Sequence, residues 1–74
     1  MLFSKYLEQV GRNIRAARIK AELRQVDIEE KIGLNYRHYQ DIEAGKSNLS
    51  IETLYRLAKL FKVDVKELVS SKDK

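Results

Sequence analysis

The side chains best suited to recognise another molecule lie in the middle of the chain and are polar. On an α-helix, which turns about 100° per residue, four of them share an arc of about 140°; they are Tyr36, Arg37, Gln40 and Asp41. Tyr39 and Ile42 point roughly the opposite way. Arginine can donate to two acceptors on guanine, glutamine can pair with adenine, and tyrosine can reach a phosphate or a thymine methyl. These four residues are therefore predicted to form either a face that reads DNA bases or an ordinary solvent-exposed face.

The elements that must position this face are all predicted to be helical. The chain has no proline and only three glycines, so few residues interrupt a helix. A first helix is predicted over about residues 4–21, because apolar residues recur there at three- and four-residue steps; they are Leu7, Val10, Ile14, Ala17 and Ala21. Gly11 lies inside this helix at a cost of about 1 kcal/mol relative to alanine, which suggests close packing there.

Two short helices joined by a glycine-containing turn are predicted next. The second helix covers about residues 25–32, and Gly33 is well placed to end it in a left-handed conformation. Leu34 then anchors the turn in the core. Asn35 is a good N-cap for a third helix over about residues 36–44, since its side-chain oxygen can accept a hydrogen bond from a free backbone amide. The polar face belongs to this third helix.

Two further helices complete the predicted fold. Ser50 caps the fourth helix. Its buried stripe is predicted to consist of Ile51, Leu54, Leu57, Ala58 and Phe61. Asp64 and Glu67 have the spacing of a capping box for a fifth helix, which buries Leu68.

The length and hydropathy of the chain indicate one domain outside membranes. Its 74 residues bury too little surface for two independent cores. We therefore expect one all-α domain over residues 1–74, with a core over about residues 7–69 and a frayed tail over residues 70–74. No apolar run approaches the roughly 20 residues needed to cross a bilayer, so a cytoplasmic protein without a membrane partner is expected.

The composition argues against catalysis and against metal or cofactor binding. Without cysteine the chain has no disulfide, thiolate zinc site or cysteine nucleophile. His38 is the sole histidine, and no serine has a histidine–acid pair that the sequence positions beside it. We therefore expect neither an enzyme nor a cofactor-dependent or small-molecule-regulated protein. The net charge of +4 suits a polyanionic partner but is common in ordinary proteins.

An ordered set of residues extends over most of the chain. Its members are Ile14, Arg15, Arg18, Leu23, Arg24, Gln25, Ile28, Gly33, Leu34, Asn35, Tyr39, Ile42, Glu43, Ala44, Gly45, Lys46, Asn48, Ser50, Ile51, Glu52, Thr53, Leu54, Leu57, Ala58, Glu67 and Leu68. In order and spacing they resemble the phage repressor and Cro type of helix-turn-helix proteins, also called the XRE type. The resemblance implies a five-helix, lambda-repressor-like bundle with its helix-turn-helix at the second and third helices.

The resemblance also implies roles for individual residues. The four polar residues of the third helix match base-reading positions. Gln25 matches a glutamine that meets a phosphate at the start of the second helix, while Lys46 and Asn48 match residues that hold the sugar-phosphate backbone. Arg18 and Glu43 match a structural ion pair between the first and third helices.

Three further residues are expected at the phosphate edge of the interface. Arg24 replaces the usual serine or threonine cap of the second helix, which removes a capping bond and adds a cation for phosphate. Asn35 and His38 lie at the start of the third helix, where a surface role for His38 fits better than ligation of a metal.

Two acidic residues depart from the family pattern. Glu29 stands where a small residue is usual, so it is expected to turn outward or to find a cation such as Arg37 or Lys31. Asp41 adds negative charge to the reading face, where it either accepts from cytosine or orients Arg37.

The pattern favours a sequence-specific transcriptional regulator that binds an inverted repeat in double-stranded DNA as a homodimer. Small phage regulators and controller proteins of restriction-modification systems are the members it resembles. The alternative is an antitoxin-like module whose main partner is another protein. Apolar residues near both ends either complete the core or form the subunit interface; the interface candidates are Leu60, Val63, Val65, Val69, Phe3 and Tyr6.

Overall fold

The computed structural model describes residues 2–71, and within them the chain forms five α-helices and no strand. The helices are α1 (Leu2–Lys20), α2 (Gln25–Ile32), α3 (Tyr36–Glu43), α4 (Ile51–Phe61) and α5 (Val65–Val69). The all-α prediction is confirmed, and the predicted bounds agree to within two residues. No helix in this part of the chain is long and apolar enough to cross a membrane.

Each helix contributes side chains to one hydrophobic core. The buried apolar residues are Val10, Ile14 and Ala17 of α1, Ile28 of α2, Tyr39 and Ile42 of α3, Leu54, Leu57, Ala58 and Phe61 of α4, and Leu68 of α5. Leu34 packs against this core and is half-buried, as expected of a turn anchor. The stripes that helical periodicity predicts on α1 and α4 therefore meet at the centre of the bundle.

Ile51 is an exception, because its side chain is 80% exposed. It was expected in the buried stripe of α4, and that prediction is wrong. At about 100° per residue Ile51 lies about 60° from Leu54, on the side away from Leu57. The Ile51 side chain therefore points past the edge of the core, where none of the described helices covers it.

Local side-chain chemistry fixes most helix ends. Asn35 Oδ1 accepts from the His38 amide at 3.0 Å, and Ser50 Oγ accepts from the Thr53 amide at 3.0 Å, so both predicted caps are confirmed. Gly33 ends α2 with a φ of 73°. The predicted capping box of α5 is wrong, because the Asp64 side chain makes no cap bond. Asp64 meets Glu67 only through its backbone carbonyl, at 3.0 Å.

The carboxyl end of the described chain is tied to α1. The side-chain amide of Asn13 donates to the carbonyl of Leu68 at 3.0 Å and to that of Ser70 at 2.8 Å. Tyr6 donates to the carbonyl of Val69 at 2.5 Å. These bonds hold Ser70, the first residue of the tail expected to fray, while residues 72–74 of that tail lie outside the described residues.

Helix α1 passes very close to the end of α3 at Gly11. A Cβ atom on Gly11 would lie 2.5 Å from the carbonyl oxygen of Glu43 and 2.7 Å from that of Ile42. Any side chain here would press on backbone atoms, which cannot rotate away. The close packing suggested by a glycine inside a helix is therefore present, and it sets the distance between α1 and α3.

A buried ion pair joins the same two helices. Arg18 Nε donates to Glu43 Oε2 at 2.7 Å and Nη2 donates to Oε1 at 3.3 Å, while Nη1 donates to the carbonyl of Leu23 at 2.8 Å. The hydroxyl of Tyr39 donates to Glu43 Oε2. The two charged side chains are only 10% and 4% exposed. The pair thus links α1 and α3 to the turn before α2.

The surroundings of Glu43 keep it ionised. Burial alone would raise the pKa of Glu43, but hydrogen bonds from Arg18, Tyr39 and Gln25 outweigh it and hold that pKa below its ordinary value. Burial, reinforced by the bond to Glu43, raises the pKa of Tyr39, which therefore remains a donor. The network is a carboxylate surrounded by hydrogen-bond donors.

Gly11→Ala is expected to lower the free energy of unfolding by about 2 kcal/mol. Overpacking against backbone costs about 3 kcal/mol, and the better helix propensity of alanine returns about 1 kcal/mol. Urea denaturation followed by circular dichroism measures the difference. Gly33→Ala is the control, because a Cβ there meets open space and the only cost is the left-handed φ. An unchanged or higher stability of the Gly11 variant would contradict the close contact.

Glu43→Gln is expected to lower the free energy of unfolding by about 3 kcal/mol at neutral pH, because it leaves the buried Arg18 charge without its counter-ion. The pKa of Glu43 is depressed in the folded state, so its contribution is complete above the ordinary glutamate pKa near 4.5 and is lost as the pH falls. The difference between wild type and variant should therefore shrink in acid. Urea titrations at several pH values measure it.

Asp27→Asn provides the matched control for that experiment. Asp27 pairs with Arg24, whose side chain is 78% exposed, so solvent screens the pair and the substitution should have a small effect. Equal losses of stability in the two variants would argue against a special role for the buried pair.

Candidate nucleic-acid interface

Helix α3 presents two chemically different faces. Tyr39 and Ile42 are fully buried, whereas Tyr36 and Arg37 are exposed and Gln40 is half-buried. Periodicity predicts this opposition, because the two sets of positions lie on opposite sides of a helix. The buried face fixes α3 against α1 and α2, so the polar face is held in one orientation. We call this polar face, made of Tyr36, Arg37, Gln40 and Asp41, the reading face.

An open groove of about 770 Å³ lies beside the reading face. It is lined by Arg15, Arg18, Arg24, Gln25, Val26, Tyr36, Gln40, Asp41, Glu43, Ala44 and Lys46. The fold therefore brings together three of the four expected base-reading residues, all on α3, and three of the expected phosphate-binding residues, which come from the start of α2 and the segment after α3. Because Arg18 and Glu43 neutralise each other, the remaining charges give the groove a positive balance.

Arg15 is a lining residue that the sequence analysis did not assign to a site. It lies on α1, is exposed, and reaches the same groove as Arg24 and Lys46. The sequence feature that could have pointed to Arg15 is its position three residues before Arg18, because this spacing places both arginines on one face of a helix. Only the packing of α1 against α3 shows that this face borders the reading face.

A chain of hydrogen bonds runs from Glu43 to the reading face. Gln25 Nε2 donates to Glu43 Oε1 at 2.9 Å, which turns the Gln25 oxygen toward α3. Gln40 Nε2 donates to that oxygen at 3.4 Å and to the Tyr36 hydroxyl at 3.2 Å. The amide groups of Gln25 and Gln40 are thus oriented before any ligand arrives, which reduces the ordering cost of binding.

The start of α2 is held by an exposed acid–base pair. Arg24 has no acceptor and makes no side-chain cap bond, as its sequence position predicts. Asp27 supplies the reciprocal bond of a capping box, since its Oδ2 accepts from the Arg24 amide at 2.7 Å, and its Oδ1 accepts from the Arg24 guanidinium at 2.9 Å. These bonds lower the pKa of Asp27. The Arg24 side chain lines the groove, and part of its guanidinium is hydrogen-bonded to Asp27.

Glu29 finds a partner that the sequence did not suggest. Its Oε1 accepts from the backbone amide of Tyr36 at 3.1 Å. Glu29 is exposed, which agrees with the first of the two expected alternatives, an outward turn. Its partner is a backbone amide and not a cation such as Arg37 or Lys31, because the free amides at the start of α3 carry the positive end of the helix dipole close by. Glu29 therefore ties α2 to the start of α3.

The remaining predicted site residues lie around the groove and do not line it. Arg37, Asn35, His38 and Asn48 are all exposed. His38 Nδ1 lies 3.4 Å from Ser47 Oγ, and the oxygen of Asn35 is engaged in capping α3. Among residues 2–71 the ion pairs are Arg18–Glu43 and Arg24–Asp27, so Asp41 does not pair with Arg37. The same residues contain no group of three or more acidic or histidine side chains that could hold a metal ion.

The candidates for contact with a second copy fall into two groups. Four of them are half-buried and pack against the core of their own chain; they are Leu60, Val63, Val65 and Val69. Phe3 and Tyr6 are more exposed and line an apolar groove of about 370 Å³ between α1, Leu49 and Val69. The four half-buried residues therefore leave little exposed side-chain area for contact with a second copy.

Comparison with known proteins identifies the family of this chain. The helix-turn-helix family model matches residues 14–68. The chain is 33% identical over 60 residues to the cryptic phage CTXphi transcriptional repressor RstR of Vibrio cholerae, with 81% of this chain and 54% of that protein covered. It thus spans about half the length of that relative.

The chain is also 33% identical over 64 residues to the uncharacterized HTH-type transcriptional regulator y4dJ of Sinorhizobium fredii, with 86% of this chain and 83% of that protein covered. No solved structure matches significantly. The family match over residues 14–68 covers most of the chain, and the groove and the reading face lie within this range. The chain belongs to the XRE-type helix-turn-helix family, whose members are DNA-binding regulators of transcription and not enzymes.

Proposed function

We propose that this protein binds an inverted-repeat operator in double-stranded DNA as a homodimer and regulates transcription from it in the cytoplasm. Helix α3 of each subunit enters the major groove, and the two half-sites lie about one helical turn apart. The observation that carries the proposal is the reading face, which is polar, fixed by its buried opposite side and bordered by cations.

The reading face has the donors and acceptors that the major groove requires. The groove is about 12 Å wide and admits one α-helix, whose side chains can then distinguish all four base pairs. Arg37 is exposed and can approach guanine with two donors, while the oriented amide of Gln40 can pair with adenine. Tyr36 and Asp41 complete the contact, with Asp41 accepting from cytosine.

Side chains around the reading face hold the DNA backbone. Gln25 lies at the first turn of α2, where the free amides favour an anion. Arg24, Lys46 and Arg15 add positive charge at the same groove. Asn35, His38 and Asn48 extend the contact along the exposed edge. Such contacts fix the register of the protein on the duplex and supply affinity without sequence preference.

Pairing of subunits doubles the contact with DNA. A single α3 covers only a few base pairs, whereas two linked copies bind adjacent half-sites with an affinity that neither reaches alone. Occupancy of the operator then depends on the concentration of the protein through its monomer–dimer equilibrium. One relative is named a transcriptional repressor, which favours repression over activation.

Arg37→Ala is expected to relax sequence preference at one base pair of each half-site and to cost about 1–3 kcal/mol of binding free energy on the preferred site. The reason is that the alanine removes two donors to a base edge without changing the fold, since Arg37 is exposed. Selection of bound duplexes from a random-sequence library measures the preference of wild type and variant. An unaltered selected sequence would remove Arg37 from the base-reading set.

Lys46→Ala is expected to weaken binding to all sequences alike and to reduce the slope of log affinity against log salt by about 1. Lys46 lines the groove outside the reading face, so its charge meets phosphate and no base. Fluorescence anisotropy over a range of salt concentrations measures both effects. Lys66→Ala removes the same charge from α5, away from the groove, and serves as the control; an equal change in both variants would refute a local phosphate contact.

A further inference from the structure

Helices α2 and α3 face each other along a row of polar side chains. On α2 the row contains Gln25 and Glu29, which are one helical turn apart. On α3 it contains Tyr36 and Gln40, which are also one turn apart. Gln40 Nε2 donates to Gln25 Oε1 at 3.4 Å, and the backbone amide of Tyr36 donates to Glu29 Oε1 at 3.1 Å. Glu29 therefore lies on the side of α2 that borders the reading face, next to the amino end of α3.

The Glu29 carboxylate is held in place and is open to solvent. Its partner amide belongs to the first turn of α3, where the free amides and the helix dipole favour a negative charge. Glu29 itself is exposed. The ion pairs found within residues 2–71 involve other side chains, so no cation of these residues neutralises the Glu29 charge. An ionised carboxylate has about four acceptor sites, and the bond to Tyr36 uses one of them.

We propose that Glu29 is a further base-reading residue, whose carboxylate accepts a hydrogen bond from the amino group of a cytosine in the major groove. This inference rests on the proposed function, in which α3 enters that groove. A recognition helix contacts base edges with its amino-terminal residues. Because Glu29 is bonded to the first residue of α3, its remaining acceptor sites enter the groove beside Tyr36.

The chemistry of a carboxylate selects cytosine among the four bases. In the major groove the polar edge of cytosine is a single amino donor, whereas adenine presents its amino group beside the N7 acceptor. Guanine presents two acceptors, and thymine presents one acceptor and a methyl group. An ionised carboxylate is an acceptor only, so acceptors on a base repel it. Cytosine is the base that Glu29 can approach without such repulsion.

The cost of an unsatisfied carboxylate strengthens this preference. Binding to DNA removes water from Glu29 and brings its negative charge near the phosphates. A base without an amino donor leaves the charge without compensation, so the corresponding DNA sequence binds less tightly. Glu29 is therefore expected to contribute more to the rejection of wrong sites than to affinity for the correct one.

The other acidic residues of α2 lack this placement. Both carboxylate oxygens of Asp27 are engaged by Arg24. Glu30 is exposed but lies about 100° around the helix from Glu29, on the side roughly opposite the buried Ile28. Glu30 thus points away from α3 and provides a matched control.

Glu29→Gln tests the contact by exchanging one oxygen for an amide nitrogen. The variant can keep its oxygen on the Tyr36 amide, while the nitrogen offers a donor where the carboxylate offered an acceptor. Wild type is expected to select a cytosine at one position of each half-site from a random-sequence library. The variant should lose about tenfold of that preference and should instead select a base with an acceptor, guanine or thymine. Glu30→Gln should select the wild-type sequence.

A second measurement uses the wild-type chain, so it does not depend on the folding of a variant. Each cytosine of the selected half-site is replaced in turn by a pyrimidine that lacks the 4-amino group. At the contacted position the replacement should weaken binding of wild type about tenfold and should weaken binding of Glu29→Ala much less. Fluorescence anisotropy measures both. The altered base pairing is the same for both proteins, so the comparison isolates the contact with Glu29.

Selection of the wild-type sequence by Glu29→Gln would overturn the inference. Equal losses by wild type and Glu29→Ala on the modified DNA would overturn it as well. A uniform gain in affinity of Glu29→Gln for all duplexes, with the selected sequence unchanged, would indicate only relief of charge repulsion and would also count against a base contact.

Failure of this inference can be distinguished from failure of the proposed function. A wild-type protein that selects no sequence from the library would overturn the proposed function, and the role of Glu29 with it. A wild-type protein whose selected sequence changes in Arg37→Ala but not in Glu29→Gln would leave the proposed function standing. Only the assignment of Glu29 as a base-reading residue would then fail.

Discussion

The carboxylate of Glu43 is the single group on which the arrangement of the first three helices depends. It accepts from Arg18 of α1, from Gln25 of α2 and from Tyr39 within α3. A buried carboxylate without partners would be strongly unfavourable, so each of these donors is required by the others. Gly11 makes the arrangement possible, because only a residue without a Cβ lets α1 approach the carbonyls of Ile42 and Glu43.

The hydrogen bonds of Glu43 also orient side chains on the surface that we assign to DNA binding. Glu43 fixes the amide of Gln25, and Gln25 in turn fixes the amide of Gln40. The side chains that orient the reading face are therefore the same ones that hold α2 and α3 together. A change in helix packing would alter the direction of the donors on α3, so stability and recognition are linked in this small bundle.

Much of this could be predicted from the sequence because it depends on local rules. The helix periods, the caps at Asn35 and Ser50 and the turn at Gly33 each involve residues close together in the chain. The exposure of Ile51 and the partner of Glu29 could not be predicted. They depend on which helix covers a given face, and periodicity gives the direction of a side chain without saying what lies in that direction.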